Sequence, residues 1–237
     1  MLSIIIPARN ESNNLEDILK YFTESMGKIE YEVILINDFS DDDTLKRAEE
    51  IFKNYKNFKI YDNKKKGLGG AINLGIENSN GAKVAIMMAD LSDDINDLKK
   101  YNSLMDEKNV DAVLGSRFNK NSLVKEYPFK KLILNRLFNL FVSIIFWNSY
   151  NDYTNAFKIY KKEVLKTIMP FVSESFNIFL EIPLKIIGRN YTYEIISINW
   201  FGRKKGNAKF KIQELRSKYL FTLIYCFSEK VLLKIKK

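Results

Sequence analysis

The 237-residue sequence contains no histidine and a single cysteine, Cys226. Without histidine there is no imidazole base, no Ser–His–Asp triad and no His-ligated metal. One cysteine excludes an internal disulfide and a zinc–thiolate cluster, which suits a reducing compartment. Acid–base and metal chemistry must then come from Asp, Glu, Lys, Tyr or the substrate. Proline is scarce, with four residues, and no Pro- or Gly-rich linker or internal repeat divides the chain. No apolar run reaches the ~20 residues of a membrane-spanning helix.

The composition, 46% hydrophobic and 28% charged, is that of a globular chain long enough for one well-buried domain with an appendage. The net charge is +9 and unevenly placed, with eleven Lys or Arg between Arg203 and Lys237 against Glu214 and Glu229. Such a stretch suits an anionic partner: phospholipid, a phosphorylated substrate or nucleic acid. Nucleic acid is not expected, because no stacking platform or known binding motif accompanies the charge. The amino terminus enters Leu2-Ser3-Ile4-Ile5-Ile6 without a basic leader, so no signal peptide is expected.

Short apolar runs at Leu2–Ile6, Val33–Ile36, Lys59–Tyr61, Val84–Met88 and Ala112–Gly115 predict strands. Amphipathic stretches lie between them. Leu15, Ile18, Leu19 and Phe22 share a helical face behind Asn13 and Glu16, and helices also fit Asp43–Asn54, Leu68–Asn78 and Ile95–Glu107. This alternation predicts an α/β fold, a mostly parallel Rossmann-like sheet with helices on both faces. Ligands of such folds gather at the carboxyl ends of the strands.

Four loops stand at those ends. Pro7-Ala8-Arg9-Asn10-Glu11-Ser12 can turn backbone amides toward a base or phosphate. Asp38 can hydrogen-bond a nucleobase or ribose, while the acids from Asp41 to Asp43 suit the start of the next helix. Lys66-Gly67-Leu68-Gly69-Gly70-Ala71 follows the third strand, not the first, so a dinucleotide fingerprint is a poor fit. Asp90 is placed to hold Mg²⁺ or Mn²⁺ against a diphosphate, with a structural role equally open, and Asp93 and Asp94 suit a helix cap.

The second half differs. Leu132–Trp147 holds twelve apolar residues, and its polar ones, Asn135, Arg136, Asn139 and Ser143, fall on one narrow helical stripe. A helix lying in a membrane interface fits this better than a spanning one, a buried core helix being the alternative. Tyr219–Leu233, followed by Lys234, Lys236 and Lys237, reads the same way. The expected division is 1–118, then 119–212 with an interfacial helix at about 130–148, and a basic amphipathic helix over 213–237.

The motifs in order are Ile6-Pro7-Ala8-Arg9-Asn10-Glu11, Asn37-Asp38-x-Ser40, Gly67-Leu68-Gly69-x-Ala71 with Gly75, and Ala89-Asp90-Leu91. Gly115-Ser116-Arg117-Phe118, Asp152-Tyr153-Thr154-Asn155-Ala156-Phe157-Lys158 and Arg203-x-x-Gly206-x-x-Lys209-Phe210 follow. Together they resemble glycosyltransferase family 2 of the GT-A fold, and within it the polyprenyl-phosphate (dolichyl-phosphate) sugar synthase branch, over about residues 2–215. The resemblance implies a nucleotide-sugar donor bound by Pro7, Ala8, Asn10, Glu11, Asp38, Gly67, Ala89 and Asp90. It implies Asp90 as the metal acid of a D-x-D element, and Arg117, Arg203 and Lys209 as phosphate ligands. It also implies an inverting transfer to polyprenyl phosphate by a protein peripheral to the inner face of the cytoplasmic membrane. The resemblance also implies nucleotide-sugar binding in 1–118 and acceptor binding in 119–212. Five positions depart from the pattern: Met88 replaces the first D-x-D acid, Asn37 replaces the first acid of an Asp-Asp pair, Phe39 replaces a glycine, and Asn155-Ala156 stand where the family often has Ser-Gly. A transferase acting on a sugar hydroxyl is the rival, with Glu181 as the candidate base. A catalytically weak nucleotide-sugar-binding protein is the rival from another class.

Overall fold

The structure, a computed structural model, describes residues 1–202 and 212–235. Its centre is a seven-stranded sheet. In chain order the strands are β1 (Leu2–Ala8), β2 (Tyr31–Asn37), β3 (Phe58–Asp62), β4 (Lys83–Ile86), β5 (Ala112–Ser116), β7 (Lys158–Lys161) and β8 (Tyr193–Ser197). They lie side by side as β3-β2-β1-β4-β7-β5-β8, and β7 alone runs antiparallel to its neighbours. A short parallel pair, β6 (Val124–Lys125) with β9 (Trp200–Phe201), stands apart from it.

Both faces of the sheet are covered, as the near-continuous apolar strands predict. Ile4, Ile6, Val33 and Leu35 point to one side, into a core with α1 (Leu15–Ser25), α2 (Thr44–Phe52) and α4 (Ile95–Lys108). Ile5, Ile34 and Ile36 point to the other, where α3 (Leu68–Asn78), α6 (Lys162–Ile168) and α7 (Ile178–Gly188) pack. The alternation follows from the two-residue period of a strand.

The five predicted strands are all present, but β7 and β8 come from the second half. β7 inserts between β4 and β5, so strands from both sides of residue 118 share one sheet. A lysine conceals β7 in the sequence. Lys158 is buried there, its ammonium donating to the carbonyl oxygens of Tyr153, at 3.1 Å, and Asn155.

Helices α5 (Phe129–Phe146) and α8 (Ile212–Ile235) lie beside α7, and α5 turns most of its apolar surface outward. Asn135 and Asn139 of its polar stripe face the protein together with Val142 and Phe146, while Arg136 is exposed. Asn139, fully buried, accepts from the Tyr153 amide at 2.6 Å, and Asn135 donates to the Thr154 hydroxyl at 2.7 Å. Its apolar face looks outward: Phe129, Ile133, Leu137, Leu140, Phe141 and Ile144 are exposed, and Trp147 is 92% exposed. On α8, Tyr219, Thr222, Leu223 and Cys226 are buried, while Leu220, Phe221, Ile224, Val231 and Leu232 face out. Among the described residues no helix is long and apolar enough to cross a membrane.

Glu32 ties β1, β2 and β3 together. Its carboxylate accepts from the Ser3 hydroxyl (2.6 Å), the Lys59 ammonium (2.7 Å) and the Asn80 side chain (3.0 Å). Burial alone would raise its pKa, but Lys59, Ser3 and Asn80 outweigh that and hold it at about 2, below its ordinary 4.5. The folded value is the lower one, so this contribution is complete above pH 4.5 and is lost as the pH falls toward 2. Glu32→Gln is expected to cost about 1–3 kcal/mol at neutral pH. It should also flatten the loss of stability across that acid window, as measured by urea unfolding. Parallel acid losses in wild type and variant would contradict this assignment.

Candidate active site

A cavity of about 1030 Å³ opens at the carboxyl ends of β1, β2, β4 and β5. The loops after these strands supply Pro7, Ala8, Asn10, Glu11, Asp38, Asp90 and Arg117 to its wall, and Gly67 comes from the turn into α3. Three of the loops hold a non-glycine residue in the left-handed region: Asn10 (φ 53°), Phe39 (φ 53°) and Leu91 (φ 54°). Phe39 therefore keeps the backbone form that a glycine adopts freely, at a cost of about 1–2 kcal/mol.

Asp38 is fixed before any ligand arrives. Its Oδ1 accepts from the Asn63 side chain at 2.7 Å and the Gly67 amide at 2.8 Å. Gly67 stands at φ 117°, where a Cβ would lie 2.6 Å from the Glu174 carbonyl oxygen. The glycine run thus lets the loop over Ser173–Phe176 close on α3, and the Gly69 amide donates to the Glu174 carbonyl at 3.1 Å.

The acidic loop after β4 divides its carboxylates. Asp94 caps α4, its side chain accepting from the Asn96 amide at 2.9 Å. Asp90 accepts from the Ser92 amide at 3.1 Å and lines the cavity. Asp93 lines it too, is 3% exposed, and has one buried carboxylate oxygen, Oδ2, with no hydrogen-bond partner. Burial raises the Asp93 carboxyl to about 7, Asp90 adds to this, and Arg117 opposes it. Met88 sits in the same wall. These oxygens suit a hard divalent ion, since such ions take one or two protein carboxylates with diphosphate and water completing the shell. Among the described residues no group of three such ligands forms a closed cage.

Arg117 is held by Asp152 in a fork, Nε to Oδ2 at 2.8 Å and Nη2 to Oδ1 at 2.7 Å, with its own amide donating to Oδ2 at 2.9 Å. Burial acts against its charge, but Asp152 more than compensates and keeps the guanidinium protonated. Tyr127 and Phe118 flank the guanidinium plane at 5.6 and 5.3 Å. Lys158, close by, is pushed down to about 7 by burial and by Arg117, with Asp152 and Asp93 opposing.

The sequence profile of glycosyl transferase family 2 matches residues 3–169. The chain belongs to this family. A dolichol-phosphate mannosyltransferase of Pyrococcus furiosus is 29% identical over 135 residues, covering 57% of this chain and 38% of that protein. A dolichyl-phosphate beta-glucosyltransferase of Dictyostelium discoideum is 29% identical over 217 residues, covering 84% of this chain and 66% of that one. The chain therefore spans less than two thirds of either relative's length. Among solved structures, glucosyl-3-phosphoglycerate synthase from Mycobacterium tuberculosis, in complex with Mn²⁺, UDP and glucosyl-3-phosphoglycerate, superposes with a TM-score of 0.74. That match covers 96% of this chain and 80% of the other at 13% identity, and shows the fold.

In this family 2 chain the predicted site residues separate into three groups. Pro7, Ala8, Asn10, Glu11, Asp38, Gly67, Asp90 and Arg117 meet in the cavity. Ala89 is buried in the core beneath it, and Arg203 and Lys209 lie outside the described residues. Glu181 is elsewhere, which corrects its candidacy as a base. It is fully buried, accepts from the amides of Val172 (3.0 Å) and Ser173 (2.8 Å), and pairs with Lys185 at 3.0 Å. Lys185 in turn donates to the carbonyls of Ile168 (3.1 Å) and Pro170 (2.7 Å). This pair anchors the loop that carries Glu174 and Phe176 to the cavity.

The sequence reading missed Asp93, Tyr127, Lys131, Phe138, Trp200 and Tyr219 in the wall. Only Asp93 had a signal, its neighbour Asp94 being sufficient to cap α4 by itself.

Glu181→Gln leaves Lys185 buried without its ion partner, and a loss of about 3–5 kcal/mol in urea unfolding is expected. Donor hydrolysis per folded molecule should stay near that of wild type. A collapse of turnover with stability unchanged would restore the base role.

Proposed function

We propose that this chain transfers a hexose, with inversion, from a GDP- or UDP-linked donor to a polyprenyl phosphate at a membrane surface. One observation carries the reading: the donor-side cavity runs into the outward apolar face. Leu134 belongs to both, lining the cavity and standing 48% exposed among the apolar residues of α5. Phe138 from α5 and Tyr219 from α8 extend the wall on the same side. A polar reaction centre opening onto an apolar surface suits an acceptor with a charged head and a hydrocarbon tail.

The relatives named as dolichol-phosphate and dolichyl-phosphate sugar transferases support this acceptor class, and the neighbour bound to UDP supports a nucleotide donor. Asp38 and the Pro7–Glu11 loop would hold the nucleoside. Asp90 would hold a divalent ion, the kind of group present as Mn²⁺ or Mg²⁺ in the neighbours' complexes. When bound, such an ion screens the diphosphate and stabilises it as it leaves. Arg117, kept rigid and charged by Asp152, presents a fixed positive centre to phosphate oxygens. Lys131 stands at the cavity wall on α5 and offers a second cation to the acceptor head.

The step itself asks little of the protein. An acceptor phosphate oxygen attacks the anomeric carbon in line, and the bond from that carbon to the donor diphosphate breaks with its electron pair. A phosphate monoester is already ionised at neutral pH, so no strong base is needed. The displacement of Glu181 from the cavity supports this acceptor over a sugar hydroxyl, which would need one. Glu126 and Glu174 sit at the exposed rim, and Glu174 pairs with Lys65 at 3.3 Å.

The exposed face of α5, with that of α8, would lie in the interface between headgroups and acyl chains on the inner side of the cytoplasmic membrane. Lys130 and Lys218 stand exposed beside these faces and suit anionic lipid. Leu137 and Phe141, 59% and 51% exposed, lie at the centre of the α5 face, and neither lines the cavity. The double variant L137E/F141E is expected to lose sedimentation with phosphatidylglycerol vesicles while keeping donor hydrolysis in solution. Undiminished sedimentation would contradict the interfacial placement.

A further inference from the structure

We propose that Asp93 supplies the second carboxylate of the metal site, in place of the acid that Met88 lacks. The inference rests on the divalent-ion reading of Asp90 above. The wall position where family 2 carries its first D-x-D acid holds a thioether, a soft and weak ligand for Mg²⁺ or Mn²⁺. Three residues beyond Asp90, Asp93 returns a carboxylate to the same cavity. The backbone makes this possible. Leu91 turns through the left-handed region at φ 54°, the Ser92 amide closes on Asp90, and the Ser92 carbonyl accepts from the Phe201 amide at 3.0 Å.

The carboxylate of Asp93 needs a partner, and among the described residues its Oδ2 has none. A buried acceptor left unsatisfied is costly, and a buried carboxylate more so. The Met88 amide reaches the carboxylate, and the other nearby donors among the described residues are committed elsewhere. The Tyr21 hydroxyl donates to the backbone carbonyl of Asp93 at 2.8 Å, and the Tyr101 hydroxyl to that of Phe157 at 3.1 Å. Arg117 is engaged by Asp152 and Lys158 by two carbonyls. Nor is Asp93 needed to start α4, since Asp94 does so. What remains is an electropositive group arriving from the cavity. A divalent ion held between Asp93 and Asp90 would satisfy the orphaned oxygen and leave the other positions to diphosphate and water.

Mn²⁺ binding to the whole chain, followed by electron paramagnetic resonance with UDP and separately with GDP, tests this without turnover. D93N keeps the shape of the side chain and is expected to weaken Mn²⁺ binding about tenfold or more, with metal-free nucleotide affinity unchanged. M88D/D93N, which moves the acid back, should regain wild-type binding to within about threefold. Binding by folded D93N within about twofold of wild type would overturn the proposal, as would a wild type that binds no Mn²⁺ with either nucleotide. If D93N does not fold, M88D alone decides: a gain of about tenfold would show that the second acid was missing, whereas a change below about threefold upholds Asp93. Sugar transfer that proceeds without metal would end this proposal and leave the transferase reading intact.

Discussion

The buried pair between Arg117 and Asp152 sets how the two halves of the molecule meet. Asp152 grips both the guanidinium and the backbone amide of Arg117 at the end of β5. The segment it belongs to is thereby fixed against the sheet. Its next residues, Tyr153 and Thr154, bond Asn139 and Asn135 and so turn the polar stripe of α5 inward. Asn135 and Asn139 then lie inside with Val142 and Phe146, and the remaining apolar residues of α5 face out. One ion pair thus fixes Arg117 at the cavity wall and, through the following residues, helps to set the orientation of α5. Removing a single partner from such a buried pair is costly, because the other charge stays behind in low dielectric.

The first half was legible because its rules are local. Apolar runs of β-branched residues gave the five strands, and the loops at their carboxyl ends hold the residues the motifs pointed to. The second half depends on contacts far apart in sequence. β7 carries Lys158 in its interior, and only the carbonyls of Tyr153 and Asn155 make a buried lysine tolerable there. α7 is buried along its whole length and includes Pro183, so it shows neither an amphipathic period nor an uninterrupted helical signal. The polar stripe of α5 was visible, and an interfacial helix was expected, but its direction came from Thr154 and Tyr153.

At the site the same division holds. Position after a strand brought Glu11, Asp38, Asp90 and Arg117 to one cavity, with Pro7 at the end of β1. It failed for Glu181, whose motif neighbourhood says nothing about burial, and its two amide donors and Lys185 make it an anchor for the Ser173–Phe176 loop. It also passed over Asp93, where two adjacent acids invite one explanation: Asp94 caps α4 and Asp93 lines the cavity. The membership in glycosyl transferase family 2 fixes the chemistry only broadly. The acceptor proposed above rests on the continuity between the cavity and the exposed apolar face of α5 at Leu134.

The account turns on the acceptor, and one comparison reaches it directly. The purified chain is given a panel of labelled nucleotide sugars with Mn²⁺ and either undecaprenyl phosphate or the neutral polyprenol of the same length. The account predicts label in the lipid fraction from at least one GDP- or UDP-linked donor, with the phosphate and not with the alcohol. Equal transfer to both lipids, or transfer only to a soluble sugar, would contradict it.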